Sequence, residues 1–301
     1  MPVTSVEKDL DSLSLTIVAD FAAPLARLWD AYVDPRQVER FWGPPTYPAT
    51  FLRHDAAVGG RSIYRMTGPT GDQHYGYWEW TDLNAPDFFA VTDGFADETG
   101  APNTELPAMH VTFAFEATDT GSRLTTITRF DALEQLEQLL EMGMLEGTKQ
   151  AMSQIDDVLA DLAAFAADRA AEAQLLGDTQ ARVARVIRGS VAQVWRAHND
   201  AELMKKWLLG PDGGEGFGFT GELRESEPPH RAVTTEAMIG MDYPATVNEL
   251  TLTPVAGGTL LTLVITYADA AQREAVLATG MTAGMETSYA RLEELLESVS
   301  A

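Results

Sequence analysis

The stretch LTIVADFAAPLARLWDAYVDPRQVERFWGPP (15–45) comes back later in the chain as RVARVIRGSVAQVWRAHNDAELMKKWLLGP (182–211). In that register Trp29 meets Trp195, Ala31 meets Ala197 and Phe41 meets Trp207. A second pair follows, with LLEMGMLEGTKQAMSQIDDVL (139–159) on VLATGMTAGMETSYARLEELL (276–296). It sets Gly143 on Gly280, Gly147 on Gly284 and Ile155 on Leu292. A period this long means two copies of one domain, not a solenoid of short repeats. The 301 residues then divide into domain 1 (12–165), a linker (166–179) and domain 2 (180–299). The Ala-rich run 163–176 reads as a helical extension into that linker, ending near Gly177.

Within one copy, Leu15 and Ile17 alternate with Thr16 and Val18, which predicts an opening strand over 14–21. Pro24 suits a first helical turn, and LARLWDAYV runs helically to Asp34-Pro35. A second short helix, PRQVERFWG, stops at Gly43-Pro44. Strands are expected near 49–54, 61–67, 75–81, 88–93, 109–117 and 123–130, separated by Gly- and Pro-bearing turns. A long helix over about 133–165 closes the copy. Its stripe Met144, Thr148, Ala151, Ile155, Val158, Leu162 steps by four and three, the period of one buried face. The expected fold class is α+β: two tandem helix-grip domains, each a curved antiparallel sheet wrapped around a long C-terminal helix.

The copies are unequal. Gly43 to Tyr75 is 32 steps, whereas the matching Gly210 to Phe217 is 7, so the second copy is 25 residues shorter. The difference has the size of the hairpin FLRHDAAVGGRSIYRMTG. Either the second domain is truncated or residues are missing at the abrupt junction LLGPDGGEGFGF. A truncated sheet would expose edges for domain 1 or a partner subunit to cover, making a homodimer plausible.

Composition narrows function by exclusion. With 21 bases against 45 acids the net charge is −24 and the pI about 4.4, which argues against nucleic acid and anionic membrane as partners. The charge is spread over both copies, −16 in 1–166 and −8 in 167–301. No apolar run approaches the ~18 residues of a membrane span, and the N-terminus lacks a signal peptide's basic and apolar regions. Zero cysteines exclude disulfides and thiolate chemistry, and a cytoplasmic bacterial protein fits. The five histidines form no HxxxH pair, so no metal is expected, and no cofactor either. Gly216, Gly218 and Gly221 spell G-x-G-x-x-G but enter a strand rather than a helix, so they are not a dinucleotide loop.

The chain resembles the SRPBCC superfamily of START and birch-allergen-like domains, and within it the branch of the activator of heat-shock protein 90 ATPase. The resemblance rests on VWRAHNDAELMKKWLLGP, VGGRSIYRM, the pair GELRESEPPHRAV and WEWTDLNAPDFFAV, and the GMxxG entry of the closing helix. It covers nearly all of 12–162 and 180–298. It implies an apolar small molecule held between sheet and helix. Some relatives cyclise or dehydrate polyketide-like substrates, and the branch name implies a chaperone cofactor.

The inner face of such a sheet is therefore where a ligand is expected. The repeat pairs Val111, Phe113, Phe115 with Asn248, Leu250, Leu252, and Leu124, Thr126, Thr128, Phe130 with Leu261, Leu263, Ile265, Tyr267. The second series is apolar in copy two, which marks it as inward and points Thr126 and Thr128 into the interior of copy one. Two hydroxyls there suit a ligand with polar handles, while Thr is also simply a good strand former. The expected ligand-binding set is Tyr64, Tyr75, Tyr77, Val111, Phe113, Phe115, Thr126 and Thr128, with Met144, Thr148 and Ala151 from the closing helix. Tyr75, Tyr77 and Glu79 share one face of their strand and Gly76, Trp78 and Trp80 the other, and the alternation leaves open which face is inward. Glu79 is a weak catalytic candidate if its face is inward. Trp29, Trp195, Phe41, Trp42 and Trp207 read as core anchors. The paired glycines of the closing helix cost ~1 kcal/mol each against Ala. Their reason is either close helix-to-sheet packing, the preferred reading, or room for a ligand.

Overall fold

The computed structural model describes residues 2–161, 170–176, 178–208, 218–240, 243–255 and 257–300. They fall into two compact units, Met1–Leu162 and Ala163–Ala301.

In the first unit β1 (Val3–Asp9) and β2 (Ser14–Phe21) form a hairpin, and α1 (Leu25–Val33) and α2 (Pro35–Val38) make the corner. The sheet continues through β3 (Ala49–His54), β4 (Arg61–Thr67), β5 (Gln73–Asn84), β6 (Phe88–Ala96), β7 (Met109–Thr118) and β8 (Gly121–Arg129). Its eight strands run β1-β2-β8-β7-β6-β5-β4-β3, all antiparallel. The predicted alternation of β2 is real: Leu15, Ile17, Ala19 and Phe21 are buried. Strand β1 was not predicted, because VTSVEKD has no apolar alternation; it lies almost wholly exposed at the sheet edge and is held by backbone pairing.

Helix α1 buries its face from Arg27 to Val33 and stops where Asp34 caps α2, its carboxylate accepting the Arg36 N–H at 2.9 Å. Behind the corner Phe89 stacks on Phe113 at 4.6 Å, and Trp78 and Trp80 are fully buried. A buried polar chain crosses this aromatic core. The Trp80 indole donates to Ser62 Oγ at 2.9 Å, and Ser62 lies 2.9 Å from His54 Nδ1. His54 Nε2 meets the Tyr32 carbonyl at 3.2 Å, and since a carbonyl only accepts, that nitrogen carries a proton.

The closing helix is not continuous. It forms α3 (Leu133–Glu141), α4 (Met144–Ser153) and α5 (Ile155–Ala160). Gly143 opens α4 with φ +86°, a left-handed conformation that breaks the helix and favours glycine. The predicted inward stripe survives the breaks: Ala151, Ile155 and Val158 are buried, with Met144 and Thr148 half-buried. Leu162, and the part of the expected helix over 162–165, lie outside the described residues.

The second unit repeats the order with β9 (Glu172–Leu176), β10 (Gln180–Ile187), α6 (Val191–Asn199) and α7 (Ala201–Trp207). Next come β11 (Phe219–Thr220), β12 (Leu223–Glu227), β13 (Arg231–Met238), β14 (Thr246–Val255) and β15 (Gly258–Thr266). Helices α8 (Ala270–Ala278) and α9 (Met281–Ser300) close it, again with a left-handed glycine, Gly280, between them. The linker reading is corrected here: 172–176 is a strand paired to β10, the counterpart of β1, not a helix. Residues 162–169 lie outside the described part. Strands β11 and β12 both pair with β13, as β5 pairs with β6, and among the described residues no strands stand for β3 and β4. Gly221 sits between β11 and β12, where a Cβ would lie 1.8 Å from the Thr235 carbonyl oxygen; its need is close strand approach, not phosphate.

Candidate functional site

A cavity of about 230 Å³ lies between the sheet of the first unit and α4. Leu15 and Ile17 of β2, Val111 and Phe113 of β7, and Thr126 and Thr128 of β8 form its sheet side. Met144, Gly147, Thr148, Ala151 and Met152 form its helix side. Tyr64, Met66, Asp93 and Met109 flank it, and the corner contributes Tyr32, Phe41, Trp42, Gly43 and Pro44. Corner and helix are tied together by Gln154, whose amide donates to the Gly43 carbonyl at 2.9 Å.

Of the expected ligand set, Tyr64, Val111, Phe113, Thr126, Thr128, Met144, Thr148 and Ala151 come together on this cavity. Three do not. Tyr77 stands on the opposite sheet face, its ring packed where a Gly94 side chain would be and 5.1 Å from the Arg61 guanidinium. Tyr75 shares that face, half-buried, its hydroxyl donating to Gln73 at 2.9 Å. Phe115 faces inward but past the cavity, edge-on to Trp29 at 5.3 Å and Tyr32 at 5.5 Å. Glu79 is exposed, because the inward face of β5 is that of Trp78 and Trp80; the catalytic expectation for it falls with that. Trp42 is more than a core anchor, since it also lines the cavity.

The glycine readings separate by position. A Cβ on Gly143, Gly147, Gly280 or Gly284 would meet no atom within 4 Å, so close packing explains none of them. Gly143 and Gly280 are helix breaks, and Gly147 leaves space on the cavity wall.

Sequence reasoning missed several lining residues, Met66, Met109 and Met152 among them, and the one of these that bears a carboxyl is Asp93, on the inner face of β6 opposite Trp78 and Met109. It is 9% exposed, and the Tyr64 hydroxyl donates to its Oδ1 at 3.1 Å. Gly76 makes that bond possible: a Cβ there would lie 2.3 Å from the Tyr64 ring, which crosses β5 to reach the acid. Burial pushes the Asp93 carboxyl up to about 7, with the Tyr64 hydrogen bond working against it. The Tyr64 hydroxyl is itself held well above its ordinary value, by burial and then by the Asp93 charge. Thr126 Oγ1 is buried with no hydrogen-bond partner among the described residues, and the Thr148 hydroxyl donates to the Met144 carbonyl at 2.9 Å. Asp93 was legible in one respect, because it continues the phase of buried Phe89 and Val91 along β6.

The second unit carries larger apolar side chains at the same positions. Leu263 and Ile265 stand where the first has Thr126 and Thr128, and Met285 and Tyr289 where it has Thr148 and Met152. Leu263, Ile265, Met281 and Met285 pack with Ala181 and Val183 into one apolar cluster. An acid persists nonetheless: Glu236, opposite Thr246, matches Asp93 opposite Met109. Burial raises it, and a hydrogen bond from Asn248 lowers it. Among the described residues no group of His, Asp and Glu could hold a metal ion, and no helix is long and apolar enough to cross a membrane.

An antiparallel sheet gripping a helix, twice in one chain, with an apolar cavity between them in the first copy, defines a tandem protein of the SRPBCC, START-like class. The chain belongs to the family described as Activator of Hsp90 ATPase homolog 1-like protein, whose model matches residues 22–160 and again 188–297. Among solved structures, protein Ms6760 from Mycobacterium smegmatis is 49% identical with a TM-score of 0.50, covering 53% of this chain and 98% of its own. A protein from Arthrobacter aurescens is 48% identical with a TM-score of 0.51, covering 53% of this chain and 92% of its own. No curated protein matches the chain.

Proposed function

We propose that the first unit binds a small apolar or aromatic molecule in the cavity between its sheet and α4, and that the second is a structural copy. The observation that carries this is the contrast between the two interiors. Where the second unit has Leu263, Ile265, Met285 and Tyr289 in its apolar clusters, the first keeps Thr126, Thr128, Thr148, Met152 and open space. An apolar enclosure with a few placed polar groups is what a ligand pocket requires. Its volume lies below the roughly 300–1,000 Å³ of drug-sized sites, which favours a molecule of one or two rings.

An enzymatic role is the second reading, favoured by one observation: Asp93 is buried on the cavity wall and hydrogen-bonded by Tyr64, and burial pushes its carboxyl up to about 7. A group near pH 7 in a cavity suits general acid–base work. Any proton transfer would therefore run through Asp93 and not Glu79.

Displacement of a fluorescent hydrophobic probe, with native mass spectrometry of the purified chain, tests the binding reading. A saturable probe site or a co-purified small molecule is expected. A chain that takes up no probe and carries no ligand would sink it.

A further inference from the structure

The cavity is built around a carboxylate that lacks a counter-ion. Asp93 is the one formally charged side chain on its wall among the described residues. Tyr64 from β4 reaches its Oδ1. Trp78 from β5 and Met109 from β7 lie opposite it, and the corner and α4 bring Trp42, Met144 and Thr148 to the same cavity. None of these is a cation, and the other titratable groups on the wall are the tyrosines Tyr32 and Tyr64. The second oxygen, Oδ2, has no protein partner among the described residues. Buried charges are ordinarily paired, so an ionised Asp93 is complete only with a partner from outside.

The rest of the wall suits a cation as well. Trp42 and Tyr64 stand edge-on with ring centroids 6.0 Å apart, and Tyr32, Phe41 and Phe113 add further rings. Aromatic faces attract an ammonium group, and more strongly once it is desolvated. Met66, Met109, Met144 and Met152 supply polarizable sulfur around them. The surrounding stretch 1–166 carries 26 acids against 10 bases, a field that concentrates cations and repels anions.

We propose that the cavity of the first unit recognises a small aromatic amine in its protonated form, the ammonium pairing with Asp93 Oδ2 and the ring lying among the aromatic side chains. This rests on the cavity-binding reading above and names the class of ligand that the cavity prefers. The pairing needs the ionised carboxylate, so amine binding tightens as pH rises and levels off above about 7. At pH 5.5 the unpaired acid would be protonated in all but a few per cent of molecules, weakening the amine by about 30-fold relative to pH 8.

Calorimetric titration of the full chain with 2-phenylethylamine, 2-phenylethanol and 3-phenylpropionate, probes of matched size, decides the matter. At pH 8 the amine is expected to bind about tenfold or more tighter than the alcohol, with the carboxylate weakest. Asp93→Asn should bring the amine down to the alcohol's level, in a protein whose melting transition shows it folded. An alcohol or carboxylate that binds as well as the amine, or an amine preference that survives Asp93→Asn, overturns the proposal while leaving the cavity reading intact. If none of the three binds, the cavity reading falls and the proposal with it.

Discussion

At the residue scale the molecule turns on Asp93. Its carboxyl is raised in the folded protein from an ordinary 3.8 to about 7. A raised carboxyl favours the folded state fully below the unfolded value, and that advantage is lost as pH climbs through the folded one. Stability should therefore decline between about pH 4 and pH 7, by on the order of 4 kcal/mol from this group alone. Melting temperatures across that range check it: Asp93→Asn should flatten the decline and be the more stable protein at pH 8. Tyr64→Phe acts in the opposite direction. The Tyr64 hydrogen bond lowers the Asp93 carboxyl, so its removal should move the midpoint of the decline upward, as an NMR titration of the carboxyl would show.

How much of this was legible in the sequence follows from the same residues. Thr126 and Thr128 were found because β8 has an aliphatic counterpart in the second copy, and the ladder pairs Ile17 with Thr126 as it pairs Val183 with Leu263. Tyr77 and Glu79 were not resolved, because β5 carries large aromatics on both faces and alternation says which residues share a face, not which face is inward. Asp93 escaped because a lone acid near the end of a strand reads as a turn or surface residue. Its in-phase position after Phe89 and Val91, shared with Glu236, was the available signal.

At the scale of elements, the closing helix and the edge strands departed most from expectation. The apolar stripe runs unbroken through 144–158, so periodicity alone cannot show that Gly143 leaves the helix. The two glycines of the first unit should answer differently to alanine. Gly143→Ala forces a side chain to φ +86° and should cost about 1 kcal/mol or more without touching the cavity wall. Gly147→Ala meets no neighbouring atom and should be neutral or stabilising by up to ~1 kcal/mol, while its methyl narrows the cavity and weakens probe binding. Denaturant unfolding read beside probe affinity separates the two effects.

At the scale of the whole molecule, duplication has produced two interiors from one fold. The first copy keeps strands β3 and β4, and Tyr64 and Met66 of β4 flank a cavity lined by smaller side chains than the second copy carries at the same positions. An isolated fragment of residues 1–162 should therefore bind the probe as the full chain does, and one of residues 163–301 should not. The central claim, one ligand site per chain in the first unit, is tested most directly by giving that unit the interior of the second. The double variant Thr126→Leu, Thr148→Met places there the residues found at 263 and 285, with an overpacking cost of about 1–3 kcal/mol. Probe stoichiometry should fall from one per chain to none while the melting transition persists. Binding that continues undiminished in the folded double variant would contradict the account.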